Sequence, residues 1–231
     1  MNCKAELVIA LDFQTAKEAL SLARTLKGAV SWMKVGLELF TAEGPGVVAM
    51  LKDMDYRVFL DLKFHDIPNT VQGAARSAAR LGADMATIHL SGGERMAKAA
   101  LEGVAGEKGE TKLLGISILT STTPREAGYD SQEAVVEAVA AKALEGKTWG
   151  LPGIVCSGNE AAAVRAVCGP DMICLCPGIR MESAGDDQRR IMTPAMAVAA
   201  GADFLVMGRP ITRAADPRGA AMAALENMAG A

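Results

Sequence analysis

The chain predicts a single (β/α)8 barrel, and three observations carry that prediction. Eight short apolar runs rich in branched residues recur along the 231 residues. Each is followed by an Ala-rich stretch with helical spacing. No linker, low-complexity segment or shift in composition divides the chain, so residues 1–231 read as one domain. Continuous apolar strands alternating with helices imply a parallel sheet covered on both faces. Eight such units in 231 residues suit a closed barrel. A doubly wound open sheet is the alternative, because alternation by itself does not establish closure.

In order, the first apolar run, Leu7–Asp12, reads as a strand that ends in an acid, and Thr15–Lys27 as the helix after it. The run Ser31–Gly36 carries Lys34 near its end and leads to a helix over Pro45–Met54. Arg57–Lys63 is the third strand, with Thr70–Leu81 as its helix. Met85–Leu90 and Gly93–Gly106 form the fourth unit, and Lys112–Thr120 with Ser131–Leu144 the fifth. Gly153–Gly158 and Asn159–Val167 follow, then Met172–Gly178 with Thr193–Ala200, and finally Phe204–Arg209 with Ala214–Met228. The polar stretch Ser121–Asp130 is a candidate mobile loop, and Arg180–Arg190 is a second polar segment after the seventh strand. Both follow the carboxyl ends of strands, the face where barrel enzymes place their chemistry.

Composition narrows the function. Half of the residues are hydrophobic and 22% are charged, ordinary usage for a globular domain. A chain of this length buries enough apolar surface to need no disulfide or structural metal. Its 24 basic and 27 acidic residues give a net charge of −3, against a nucleic-acid partner. Aromatics at 4% leave little to stack on single-stranded bases. The five cysteines (Cys3, Cys156, Cys168, Cys174 and Cys176) form no C-x-x-C pair, and only two histidines accompany them. That spacing assembles no usual zinc site and suits buried thiols in a reducing, cytoplasmic compartment. Cys174 and Cys176 alternate on one face of an apolar run and read as small core residues. The apolar run near the N-terminus is shorter than a signal core, and no stretch reaches the roughly 18 apolar residues of a membrane span.

Ionisable residues gather at the strand ends. Asp61 and Lys63, two apart on the third strand, project to the same face. With Asp12, Lys34 and Asp66, they place two lysines and three carboxylates on one rim if the barrel closes. The structural alternative is a solvated network of rim ion pairs. A desolvated array of this kind is costly unless chemistry uses it. Strand seven ends Cys176-Pro177-Gly178-Ile179-Arg180 and strand eight ends Met207-Gly208-Arg209-Pro210. Glycine lets an anion approach backbone N–H groups, and the arginine fork suits phosphate. These two loops are the frequent phosphate site of such barrels.

The segment Asp61-Leu-Lys63-Phe-His-Asp66-Ile67-Pro-Asn-Thr70 resembles the D-x-K-x-x-D-I-x-x-T motif of the orotidine 5′-phosphate decarboxylase family, bacterial form. The likeness runs from end to end. It includes A-L-D at Asp12, W-M-K-V-G at Lys34, I-H-L-S-G-G after His89 and L-T-S-T at Thr120. It continues with P-G-I-R at Arg180, D-D-Q-R-R-I-M-T-P at Gln188 and M-G-R-P-I-T at Arg209. The pair Met181-Glu182 after the arginine departs from the expected spelling of that loop.

The resemblance implies cofactor-free and metal-free decarboxylation of orotidine 5′-monophosphate to uridine 5′-monophosphate in pyrimidine nucleotide synthesis. It implies that Lys34, Asp61 and Lys63, with an aspartate of the partner subunit matched here by Asp66, form a charged chain under the substrate carboxylate. Lys63 corresponds to the proton donor. Asp12, and Thr70 from the neighbouring chain, correspond to ribose contacts, and Thr120 to a pyrimidine contact. Gln188, Gly208 and Arg209, with Arg180, correspond to the phosphate grip. Ile67 and Pro177 complete the implied substrate contacts. Because Asp66 and Thr70 would serve the other subunit's pocket, an obligate homodimer is implied. Gln188 and the polar loop after Thr120 are the expected moving parts.

The residues fit that chemistry on physical grounds as well. Loss of carbon dioxide from the ring leaves an electron pair in an sp² orbital that no adjacent carbonyl accepts. A positioned ammonium, Lys63, can stabilise that pair and then protonate it. Asp61 beside a substrate carboxylate raises the ground state. A sister class of magnesium-using sugar-phosphate enzymes resembles the same motif with a glutamate in place of Lys34, where a lysine repels a divalent cation. A nucleotide-binding barrel without catalysis is the other rival, and it gains nothing from carboxylates near an anionic ligand. His65 reads as a structural hydrogen-bonding residue rather than a general base, and His89 as either pocket lining or a support behind it. The 13 methionines read as core filling, and Gly92-Gly93 as either an anion site before a helix or a plain strand-to-helix turn.

Overall fold

The structure, a computed structural model, describes residues 5–107, 110–181 and 192–230. Its centre is a closed parallel barrel in which eight strands pair in chain order and the last pairs with the first. The open-sheet alternative is thereby set aside. The strands are β1 Glu6–Ala10, β2 Trp32–Gly36, β3 Arg57–Phe64 and β4 Met85–His89, then β5 Lys112–Ile116, β6 Gly153–Val155, β7 Ile173–Pro177 and β8 Phe204–Met207. Helices α1 Ala16–Leu26, α2 Leu37–Glu43, α3 Gly46–Asp53, α4 Pro68–Arg80 and α5 Gly93–Ala105 cover the first half. The second half carries α6 Gln132–Thr148, α7 Gly158–Cys168, α8 Pro194–Ala199, α9 Arg209–Thr212 and α10 Pro217–Ala229.

Period-two alternation sorts each strand into two cores. Inside the barrel, Val8, Trp32, Phe59, Met85, Leu114, Leu175 and Val206 form one cluster. The intervening residues, among them Ile9, Met33, Leu60, Ile88, Ile154, Cys174 and Leu205, pack outward with helix residues such as Leu26, Leu51 and Val139. Gly103 of α5 belongs to the outer layer for a steric reason: a Cβ there would lie 2.4 Å from the carbonyl oxygen of Gln72 on α4. Cys174 is fully buried, and hydrogen bonding with Cys156 together with burial pushes its thiol pKa well up. These thiols stay protonated and pack as small apolar groups.

The N-terminal end of the barrel is closed by paired charges and rings. Trp32 donates its indole N–H to Glu6 at 2.9 Å and meets Phe204 edge-on, with centroids 5.2 Å apart. Arg165 of α7 clamps the start of β7 and β8. It donates to the carbonyls of Gly201 and Pro170, each at 2.9 Å, and pairs with Asp203, which also accepts the Cys174 N–H at 2.7 Å. Arg165→Ala removes a charged donor set and strands Asp203, so it should cost about 2–3 kcal/mol of stability. A urea unfolding midpoint equal to wild type would refute that role.

The elements depart from the sequence reading mainly above the barrel. β5 stops at Ile116 and β6 at Val155, short of the expected Thr120 and Gly158. Beyond β6, Ser157 instead caps α7, with its N–H bonded to the Glu160 carboxylate at 2.7 Å in a capping box. The sequence reading places no helix over α2 or α9, seven and four residues long. α4 begins at Pro68, two residues before the expected Thr70, because proline is well placed in a first turn.

Candidate active site

The polar end of the barrel interior is built by continuing the same alternation. After Trp32 the next inward residue of β2 is Lys34, after Phe59 that of β3 is Asp61, and after Met85 that of β4 is Thr87. Lys34 is 9% exposed and Thr87 fully buried, so charge and hydroxyl sit directly on apolar layers. The result is an alternating line of charge. Lys34 Nζ lies 3.0 Å from Asp12 Oδ1 and 4.0 Å from Asp61 Oδ2, and Lys63 Nζ lies 2.7 Å from that same Asp61 oxygen. Gly36 leaves the space for it, since a Cβ there would fall 2.7 Å from Lys34 Nζ.

Lys63 reaches the line through an irregular backbone. Between Leu60 and Phe64 the β3–β4 register shifts, and Lys63 takes φ 53°, a left-handed value rare for a residue with a side chain. Its N–H donates to Thr87 Oγ1 at 2.9 Å, and the Thr87 hydroxyl donates to Asp61 Oδ1 at 3.0 Å. The same-face expectation for Asp61 and Lys63 therefore holds, with a bulge between them.

Two connected spaces open over this line. The wider, about 600 Å³, is lined by Asp12, Lys34, Pro177, Gly178, Arg180, Met181, Gly208, Arg209 and Arg213. The narrower, about 210 Å³, is lined by Lys34, Asp61, Lys63 and Thr120 with the apolar Phe59, Ile116, Leu119, Val155 and Leu175. Lys34, Pro177 and Val206 line both.

Most of the residues singled out from sequence thus converge: Asp12, Lys34, Asp61, Lys63, Thr120, Pro177, Arg180, Gly208 and Arg209. Asp66, Ile67 and Thr70 do not. β3 ends at Phe64 and the chain turns outward, leaving all three exposed on the rim, with the Asp66 carboxylate accepting the Ile67 N–H at 2.6 Å. The convergence of three carboxylates is corrected to two, Asp12 and Asp61: among the described residues, Asp66 makes no ion pair within its own chain. Gln188 and Glu182 lie outside the described residues, as does most of the Arg180–Arg190 segment.

Two contributors escaped the sequence reading. Arg213 joins the arginines only because α9 turns the chain back over the mouth. Thr87 carried a usable signal, the inward register shared with Met85 and His89, but a strand threonine resembles any other β-former. His65 is exposed and stands with its ring 5.2 Å from that of His89, a ring contact where a hydrogen-bonding role was expected. Burial, then the neighbouring His65 and Lys63, hold the His89 pKa below its ordinary value, so its ring is neutral at pH 7.

Fold and rim together define a (β/α)8-barrel enzyme whose charged mouth holds two lysines and two aspartates. The chain belongs to the orotidine 5′-phosphate decarboxylase / HUMPS family, whose model matches residues 5–224. A protein of Nitratidesulfovibrio vulgaris (strain DP4) named orotidine 5′-phosphate decarboxylase is 55% identical, covering 97% of this chain and 98% of its own. A protein of the same name from strain DSM 19637 / Miyazaki F is 57% identical over 95% of this chain and 96% of its own. Among solved structures, orotidine 5′-phosphate decarboxylase from Lactobacillus acidophilus superposes with a TM-score of 0.84 at 33% identity, covering 97% of this chain and 99% of that one.

Proposed function

We infer that this chain decarboxylates orotidine 5′-monophosphate to uridine 5′-monophosphate, the step that completes pyrimidine nucleotide synthesis, and that it does so without cofactor or metal. The observation that carries the mechanism is the Asp12–Lys34–Asp61–Lys63 line at the floor of a two-part cavity. The arginine-bearing space suits the phosphate, and the apolar slot suits the flat pyrimidine. The substrate carboxylate then lies against Asp61 and Lys63. As the ring carbon–carboxylate bond breaks, its electron pair stays on the ring carbon and carbon dioxide departs. The Lys63 ammonium, held 2.7 Å from Asp61, stabilises that pair and delivers its proton to the carbon. Solvent then reprotonates the neutral amine.

The position of Lys34 separates this reading from the magnesium-using sister class. Its ammonium occupies the space between Asp12 and Asp61, where a divalent cation would need those carboxylates for itself. Ultraviolet loss of orotidine 5′-monophosphate, followed with and without EDTA, tests the proposal. Rapid loss in both is the expected result, loss stopped by EDTA would move the chain to the sister class, and tight product binding without loss would leave a nucleotide-binding barrel.

The active unit is proposed to be a homodimer in which Asp66, Ile67 and Thr70 of each chain complete the other's pocket. What supports it is the exposure of Ile67 at 66% beside the Asp66 carboxylate, which among the described residues forms no ion pair. A cytoplasmic setting is proposed from the four free, buried thiols at Cys156, Cys168, Cys174 and Cys176. Among the described residues, no helix is long and apolar enough to cross a membrane.

Gln188, Gly208, Arg180 and Arg209 are assigned to the phosphate. Arg209→Ala removes a fork donor at the mouth and should raise KM about ten- to a hundredfold. Steady-state kinetics with an unchanged KM would remove Arg209 from the site.

A further inference from the structure

We propose that Thr87 is a positioning residue for the decarboxylation, holding Asp61 and Lys63 in register through one hydroxyl. The proposal deepens the decarboxylase reading and rests on it. The hydroxyl sits at a junction: it accepts the Lys63 N–H at 2.9 Å and donates to Asp61 Oδ1 at 3.0 Å. The other oxygen of Asp61 receives Lys63 Nζ at 2.7 Å and faces Lys34 Nζ at 4.0 Å. Both carboxylate oxygens are thereby committed, which sets the plane of the carboxylate and aims one oxygen at the two ammonium groups.

The same bond answers a backbone problem. The register shift between Leu60 and Phe64 leaves the Lys63 N–H without its regular ladder partner, and φ 53° is a conformation that persists only when its surroundings enforce it. Thr87, fully buried on the adjacent strand, supplies that partner and donates its own hydroxyl hydrogen bond to Asp61. A valine in its place has the same shape, but it leaves a buried N–H unpaired and one Asp61 oxygen free to turn. Thr87 touches the charged pair and lines neither space over it, so its effect should fall on orientation rather than on nucleotide binding.

Thr87→Val is therefore expected to lower kcat about ten- to a hundredfold while KM and the dissociation constant for uridine 5′-monophosphate stay within about threefold. Thr87→Ser, which keeps the hydroxyl, should recover kcat to within about threefold of wild type. A folded Thr87→Val enzyme with wild-type kcat would overturn the proposal, as would equal losses in the serine and valine variants, since packing and not the hydroxyl would then be responsible. Should the valine variant fail to fold, Thr87→Cys, with a weaker donor of similar size, replaces it under the same criteria. Wild-type protein inert toward orotidine 5′-monophosphate would instead defeat the decarboxylase reading itself.

Discussion

Lys63→Ala should abolish turnover while leaving nucleotide binding nearly intact. Lys63 is the cation closest to Asp61, and its side chain, 31% exposed, reaches the narrow space where the ring is proposed to lie. Removing it takes away both the charge that offsets the developing carbanion and the acid that ends it. Those two effects are each worth about 10²-fold or more, so kcat should fall by at least about 10⁴-fold. Binding is expected to persist because the arginines at the other end of the cavity are untouched. Calorimetric titration with uridine 5′-monophosphate and a single-turnover assay check the two halves separately. A variant that retains a tenth of wild-type turnover would remove Lys63 from the centre of the chemistry. Weakened binding in step with lost turnover would make it a general contact instead.

Mixing two inactive proteins should produce an active one. Asp66 stands exposed on the rim and, among the described residues, forms no ion pair with the charged line of its own chain, and the proposed dimer makes it the neighbour's residue. In a hybrid of Lys63→Ala and Asp66→Ala chains, one site carries both substitutions and the other carries neither. Random exchange between equal amounts should then restore about a quarter of wild-type activity, by the symmetry of an isologous dimer. Exchange demonstrated by mass, with no activity regained, would mean that each chain completes its own pocket.

Both results test residues that were visible in sequence to different degrees. Asp61 and Lys63 could be placed together from period-two spacing, and Lys34 from its place near the end of the second apolar run. Arg180 and Arg209 were legible because each lies one or two residues after a glycine at the end of a strand. The bulge that gives Lys63 its left-handed φ was not legible, because Lys63 is neither glycine nor asparagine and nothing local asks for that conformation. Thr87 was hidden for the complementary reason: its partners, Lys63 N–H and Asp61, are 24 and 26 residues away. The short β5 and β6 have a similar origin. Apolar residues such as Ile118 and Leu119 extend the run beyond Ile116, yet they line or pack near the cavity instead of continuing the ladder.

The sequence by itself determined a parallel sheet of eight strands covered on both faces, since eight apolar runs alternating with Ala-rich helices need both faces of every strand buried. It also determined which ionisable types stand at the strand ends. Closure of the sheet was decided only by the pairing of β8 with β1, a contact between the two ends of the chain. Tertiary structure likewise decided which carboxylates share the charged line. Asp12 enters it because β1 lies beside β2, while Asp66 leaves it because the chain turns outward after Phe64. Strand periodicity is a local property and can be read from neighbours in sequence. Electrostatic pairing depends on distances of 3–4 Å between residues far apart in the chain, and only the folded barrel sets those.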